Sequence, residues 1–178
     1  MTETTISGLT IELKRGDIAG QDDMDAVVNA ANAELKIGGG VAGAIHRAAG
    51  PGLTEETSSM APIKPGEAVI SGGHNLPNDF VIHCLGPVYG RDKPEDQLLA
   101  NCYDNALRLA EQHGIARIAF PSISTGAFGY PMRDAAQIAF ETVKKSVEGL
   151  SAVSLIRFVL WGEDAMTIHA EVMDEVFD

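Results

Sequence analysis

Apolar residues along this chain fall into two kinds of run, and the two kinds alternate. Short stretches rich in β-branched or aromatic side chains read as strands at Ile11–Lys14, Ala26–Val28, Ala68–Ser71, Phe80–Cys84, Ile118–Phe120 and Leu155–Leu160. Longer stretches with helical spacing separate them at Val41–Ala49, Gln97–Gln112, Arg133–Val147 and Asp164–Val176. In the Gln97 segment Leu99, Cys102, Tyr103, Ala106, Leu107 and Ala110 share one face, which marks the side turned to a core. Asp164 is placed to cap the last helix, and Asp134 lies in the first turn of its own. Alternating β and α elements with apolar strands predict a largely parallel sheet covered on both faces.

Length and charge narrow the class. The 178 residues fit one α/β domain, 1–178, and no repeat or Pro/Ser-rich linker divides them. The formal charge is −12, from 13 Lys and Arg against 25 Asp and Glu, which argues against nucleic-acid or anionic-membrane partners that need clustered cations. No apolar run approaches the roughly 20 residues needed to cross a bilayer. The opening MTETTISG has neither a basic nor an apolar leader region, so a cytoplasmic protein is expected. Cys84 and Cys102 lack any framework spacing and read as two reduced thiols. No His/Cys spacing resembles a zinc site. His83 reads as a core imidazole and His46 as a packing residue, with His74, His113 and His169 at the surface or at caps.

Two segments exceed what a scaffold needs. The first is Asn29-Ala30-Ala31-Asn32 followed by Gly38-Gly39-Gly40-Val41-Ala42-Gly43 at the start of a helix. Consecutive glycines cost chain entropy, but they let backbone amides approach a ligand closely. The helix N-terminus adds a partial positive charge that suits a phosphate. Between Lys36 and Leu53 there is no acidic residue, a local gap in an acidic chain. The second segment, Pro121–Pro131 after a strand, has no charge. Ser124, Thr125 and Gly126 offer N–H and hydroxyl donors to a second phosphate, and Phe128 or Tyr130 can cover a sugar. Two donor-rich, acid-free loops favour a pyrophosphate. Gly38-x-Gly40-x-x-Gly43 also fits the dinucleotide fingerprint, but Asn29–Ile37 separates it from its strand and no acidic strand end follows. Glu55 and Glu56 fall instead in a polar segment after Pro51-Gly52.

These residues resemble the macro domain family, in particular its bacterial and mitochondrial MacroD-type branch. The matching pieces are Gly16-Asp17-Ile18, Val28–Asn32, Gly38–Val41, Gly43–Pro51, Val81–His83 with Gly86–Tyr89, Asn101–Tyr103, and Phe120–Gly126 with Gly129–Pro131. The resemblance implies a three-layer α/β/α sandwich with a central mixed, largely parallel sheet. It implies ADP-ribose, O-acetyl-ADP-ribose or ADP-ribosylated proteins as ligands, a monomer, and no cofactor or metal. By position, Asp17 would accept the adenine amino group and the Ile18 N–H would face the ring. Gly39, Gly40, Val41, Ala42 and Gly43, together with Ser124, Thr125, Gly126, Ala127 and Phe128, would wrap the phosphates. Asn32 and Phe128 would meet the distal ribose, and Trp161 would stand beside adenine or else pack at the sheet edge. One position departs from the branch. MacroD-type hydrolases carry Asp directly after Gly-Gly-Val, where this chain has Ala42. Coronavirus macro domains share the Gly-Gly-Gly-Val-Ala-Gly run but carry His before it, where this chain has Ile37. The implied activity is ADP-ribosyl ester hydrolysis slowed by Ala42, with Asn32 and the Ala42 position at the catalytic end. The alternative is a reader that binds without turnover.

Overall fold

The computed structural model describes all 178 residues. Seven strands form one sheet: β1 (Glu3–Ile6), β2 (Leu9–Arg15), β3 (Ala26–Ala30), β4 (Ala68–Gly72), β5 (Phe80–Cys84), β6 (Arg117–Phe120) and β7 (Leu155–Leu160). Five helices accompany them: α1 (Gly40–Ala49), α2 (Gly52–Thr57), α3 (Glu95–Gln112), α4 (Met132–Ser146) and α5 (Glu163–Phe177). The strand order is β1-β2-β7-β6-β3-β5-β4. The five inner strands run parallel, while β1 and β4 pair antiparallel at the two edges, so the sheet is mixed as expected.

Period-2 alternation splits the core. Ile11, Leu13, Val28, Ile82, Phe120, Ile156 and Phe158 face α3, α4 and α5, and Tyr103, Phe120 and Phe158 pack as an aromatic group there. Val27, Val81, Ala119 and Val159 point the other way, onto Ile45 and Ala49 of α1 and Leu53 of α2. The predicted face of α3 is buried residue for residue.

Four expectations change. The edge strand β1 was not visible in the pattern. Glu55 and Glu56 belong to α2, whose short amphipathic face buries Leu53 and Thr57. The N-cap of α5 is Gly162, so Asp164 acts from within the first turn rather than capping it. His169 is a core residue, not a surface one: it lies edge-on to Phe140, and its Nδ1 is 2.8 Å from the Ala165 carbonyl. Both cysteines are free and buried.

The topology leaves one opening. The β3–β6 ladder consists of two pairs, Ala26–Ile118 and Val27–Ala119, and then stops, while β3 runs on to Ala30 beside β5. Past this point the chain leaves β3 toward α1 on one face and leaves β6 toward α4 on the other. Divergence of that kind at the carboxyl ends of parallel strands is where open α/β sheets form ligand crevices.

Candidate functional site

The site residues that the resemblance implies all follow the carboxyl ends of parallel strands, at one end of the sheet. Asp17 and Ile18 follow β2, Trp161 follows β7, Ser124–Phe128 follow β6, and Asn32 with Gly39–Gly43 follow β3. The Gly16 N–H donates to the Leu160 carbonyl at 3.1 Å, which ties the Asp17 and Trp161 turns together. Asp17 Oδ1 accepts from the Ala19 N–H at 2.9 Å and so caps the short turn Ile18–Gly20. Its second carboxylate oxygen stays free, as does the Ile18 N–H. Trp161 is 85% exposed, which overturns the sheet-edge packing alternative. An indole left in water beside a free carboxylate and a free amide is a ready platform for a flat ring.

The glycine loop divides by what each residue faces. A methyl group at Gly39 or Gly40 would meet nothing within 4 Å. At Gly43 it would lie 2.5 Å from the Gly38 carbonyl oxygen and 2.8 Å from Arg47 Nη1. Gly43 therefore allows the loop to fold onto the helix, and its N–H donates to Gly39 O at 3.2 Å. It is a packing residue rather than a phosphate contact. The free donors are the amides of Gly40, Val41 and Ala42, the first turn of α1, which no chain acceptor satisfies. Gly40 has φ of 55°, a region that a side chain adopts only with strain.

Asn32 locks the start of this loop. Its Oδ1 accepts from the Lys36 N–H at 3.0 Å and its Nδ2 donates to the Lys36 carbonyl at 2.8 Å. A methyl group at Gly38 would come within 3.2 Å of Asn32 Nδ2 and 3.8 Å of Ala42 Cβ, so Asn32 and Ala42 flank the same spot. One Nδ2 hydrogen of Asn32 is left to donate there. Ala42 offers only a methyl group.

Beneath the loop lies a buried polar layer. Asn29 Nδ2 is 3.1 Å from His83 Nδ1, and His83 Nε2 is 2.8 Å from Ser71 Oγ, which donates to Gly72 O. A neutral imidazole protonated on Nε2 satisfies all three contacts, and burial, with His46 nearby, holds the His83 pKa down at about 3. His46 is also depressed by burial, and its Nδ1 contacts Thr54 Oγ1 at 3.2 Å.

The second loop offers the anticipated amides but not the hydroxyls. Ser124 Oγ donates to the Pro87 carbonyl at 2.8 Å, and Thr125 Oγ1 donates to Ser122 O at 2.9 Å. Both hydroxyls are spent inside the fold. Ser124 has φ of 67°, and the turn it makes leaves the N–H groups of Ser124, Thr125, Gly126, Ala127 and Phe128 without acceptors. A run of successive free amides is an anion cradle. Tyr130 is buried behind the loop, against Tyr89, while Phe128 is half-exposed and packs on the small cluster of Ala31, Leu35, Ile63 and Leu85. Sequence reasoning missed the anchors of this loop. A Cβ on Gly86 would overlap Ser124 Oγ, and Tyr103 Oη accepts from the Ile123 N–H at 3.3 Å. Gly86-Pro87 was visible as a motif, but only the fold reveals what it touches.

Known proteins resemble the whole arrangement. The chain is 42% identical over 173 residues to an O-acetyl-ADP-ribose deacetylase of Citrobacter koseri, covering 94% of this chain and 97% of the relative. It is 43% identical over 171 residues to a macro domain-containing protein of Caldanaerobacter subterraneus, covering 93% of this chain and 97% of the relative. The fold superposes on the Oceanobacillus iheyensis macrodomain solved with ADP at a TM-score of 0.92, with 38% identity over 97% of this chain and 94% of that one. The Trypanosoma brucei macrodomain in complex with ADP-ribose gives a TM-score of 0.83 at 37% identity, covering 90% of this chain and 68% of that one. The profile of the Macro domain family matches residues 28–139, from the middle of β3 to the middle of α4. This chain belongs to the macro domain family.

Proposed function

We propose that the protein binds ADP-ribose across the opening between β3 and β6 and slowly hydrolyses its esters. The substrates are O-acetyl-ADP-ribose and ADP-ribose joined to Asp or Glu side chains of proteins. One observation carries the reading: the free amides of Gly40–Ala42 and of Ser124–Phe128 lie at neighbouring strand ends, on either side of an opening, with no acidic residue between Lys36 and Leu53 or within Pro121–Pro131. Amides and a helix N-terminus hold a pyrophosphate without lysine or arginine, which suits a chain of charge −12. The relatives named as O-acetyl-ADP-ribose deacetylases and the ADP and ADP-ribose complexes of similar macrodomains support the same ligand class.

In this reading the free Asp17 oxygen accepts from the adenine amino group, the Ile18 N–H faces the ring, and Trp161 stacks beside it. The two loops bend the pyrophosphate and deliver the distal ribose between Asn32 and Phe128. A water then attacks the ester carbonyl or the anomeric carbon. Without a carboxylate at Ala42, the remaining Nδ2 hydrogen of Asn32 and the substrate's own phosphate orient that water. Slow turnover follows, because proximity is supplied and a general base is not.

Ala42 also favours a second reading, a module that binds ADP-ribose and releases it unchanged. Calorimetric titration with ADP-ribose and intact NAD, with timed product detection on O-acetyl-ADP-ribose, separates the possibilities. Binding of ADP-ribose with slow product release is the expected result. Binding with no product establishes the reader, and an absence of ADP-ribose binding overturns both.

A further inference from the structure

A second cavity lies behind the Ser124–Tyr130 loop, between the first turn of α3 and one face of α4. It measures about 390 Å³, and its walls include Tyr89, Glu95, Asp96, Tyr130, Asp134 and Glu141. Four carboxylates therefore surround two tyrosine rings, and none of the four takes part in an ion pair anywhere in the fold. A preference of acids for helix N-termini explains Glu95, Asp96 and Asp134 one at a time. It does not explain Glu141, two turns further along α4 on the same face as Asp134 and Ile138.

Independent features point to a missing partner. Tyr130 is only 4% exposed, yet it lines the cavity, and its hydroxyl has no hydrogen-bond partner within the chain. Burial and then the charges of Asp96, Glu95 and Asp134 push its pKa up to about 12. Glu95 Oε2 is likewise buried without a donor. A buried acceptor without a donor costs stability until something supplies one.

We propose that this cavity receives the guanidinium of an arginine side chain from the ADP-ribosylated protein that docks here. No cluster of three acidic or other metal-binding side chains is close enough to hold a metal ion, which favours an organic cation. The Tyr89 and Tyr130 rings, both lining the cavity, stand 4.9 Å apart, tilted by 57°, and Tyr89 is 44% exposed. A guanidinium combines stacking on aromatic faces with forked hydrogen bonding to carboxylates, and it sheds water more readily than an ammonium. The cavity also adjoins the candidate site. The Tyr89 N–H donates to the Phe128 carbonyl at 2.9 Å, and the Tyr130 N–H to the Ser124 carbonyl at 2.9 Å. A protein tethered through the distal ribose at Phe128 would thus pass its flanking residues over Tyr89. This link to the substrate rests on the hydrolase reading; the guanidinium site itself does not.

The test begins with acetyl-Gly-Arg-Gly amide and its citrulline counterpart, an uncharged near-isostere, titrated by NMR against the intact protein. The arginine peptide should bind, and the citrulline peptide should bind roughly tenfold more weakly or worse. Asp134→Asn with Glu141→Gln should weaken the arginine peptide by a similar factor while ADP-ribose affinity stays unchanged. Equal binding of the two peptides, no binding, or an unaffected double variant overturns the site, as does occupation by spermidine alone. The second arm compares glutamate-ADP-ribosylated peptides carrying arginine or citrulline beside the modified residue. A lower KM with arginine, lost in the double variant, is expected. Equal KM values with normal ADP-ribose binding remove the link to substrate. If ADP-ribose itself fails to bind, the functional reading falls while the first arm still decides the cavity.

Discussion

The two loops that flank the β3–β6 opening present the same chemistry by opposite means. The loop after β3 takes its amides from a helix N-terminus and needs residues without side chains at Gly39 and Gly40 to expose them. The loop after β6 takes its amides from a left-handed kink at Ser124, held by a side chain turned inward to Pro87. Their foundations differ too. The first rests on the polar layer Asn29–His83–Ser71, the second on the aromatic group Tyr103, Phe120 and Phe158. Free amides can therefore be presented by absent side chains or by side chains spent on the fold, and only the first construction announces itself in a sequence.

The largest expected effect breaks the first loop. Gly40→Glu should abolish measurable ADP-ribose binding in calorimetry. The open space in front of Gly40 would hold a negatively charged side chain where a phosphate must approach, and the φ of 55° would be strained. Retained affinity would mean that the second loop holds both phosphates alone.

Next comes the missing base of the first loop. Ala42→Asp should raise hydrolysis of glutamate-linked ADP-ribose by about one to three orders of magnitude, the range of a well-placed general base. Affinity for free ADP-ribose should stay similar or fall, because the new charge repels the phosphates. A parental rate equal to that of the variant would show that substrate-assisted attack suffices.

Acid should separate the two foundations. His83 binds its proton at a pKa of about 3 in the fold against 6.5 in the unfolded chain, so protonation favours unfolding. Its contribution is complete above pH 6.5 and is lost as pH falls toward 3. The loss should reach about 3 kcal/mol by pH 4. His46, depressed by burial beside the same layer, acts in the same direction. Hydrogen exchange at pH 4 to 5 should therefore deprotect the end of β3 and residues 31–39 before the loop after β6. Simultaneous loss in both would mean that one cooperative unit carries them.

How much was legible follows from the same contrast. The alternation of strands and helices, the core face of α3 and the open turn at Gly39 and Gly40 depend on period and on the lack of a side chain, which a single chain displays. The strand β1 was missed because Glu3–Ile6 borrows its partner entirely from β2 and has no buried face of its own. The α2 helix was missed because its six residues bury only Leu53 and Thr57, too few to set a period. His169 was misplaced because burial from across the fold decides it, and Gly43 because the neighbour that crowds it is a backbone carbonyl, that of Gly38. The hydroxyls of Ser124 and Thr125 were assigned outward because their acceptors, Pro87 and Ser122, are backbone carbonyls that carry no sequence signal.

The smallest expected effect tests that last point directly. Thr125→Ala removes a hydroxyl that donates to Ser122 O at 2.9 Å and approaches Ser122 Oγ at 3.0 Å. If the hydroxyl belongs to the loop, the loss is one neutral, half-buried hydrogen bond, about 1 kcal/mol of stability. ADP-ribose affinity should then change by less than about 0.5 kcal/mol, since the amides of residues 124–128 keep their positions through Gly86 and Pro87. If the hydroxyl instead reaches a phosphate, a charge-assisted bond is lost and affinity falls by about 1.5–3 kcal/mol. Paired measurements, denaturant unfolding for stability and calorimetry for affinity, distinguish the outcomes because the two readings move opposite observables. A large affinity loss with unchanged stability would turn the second loop into a side-chain site and erase its difference from the first.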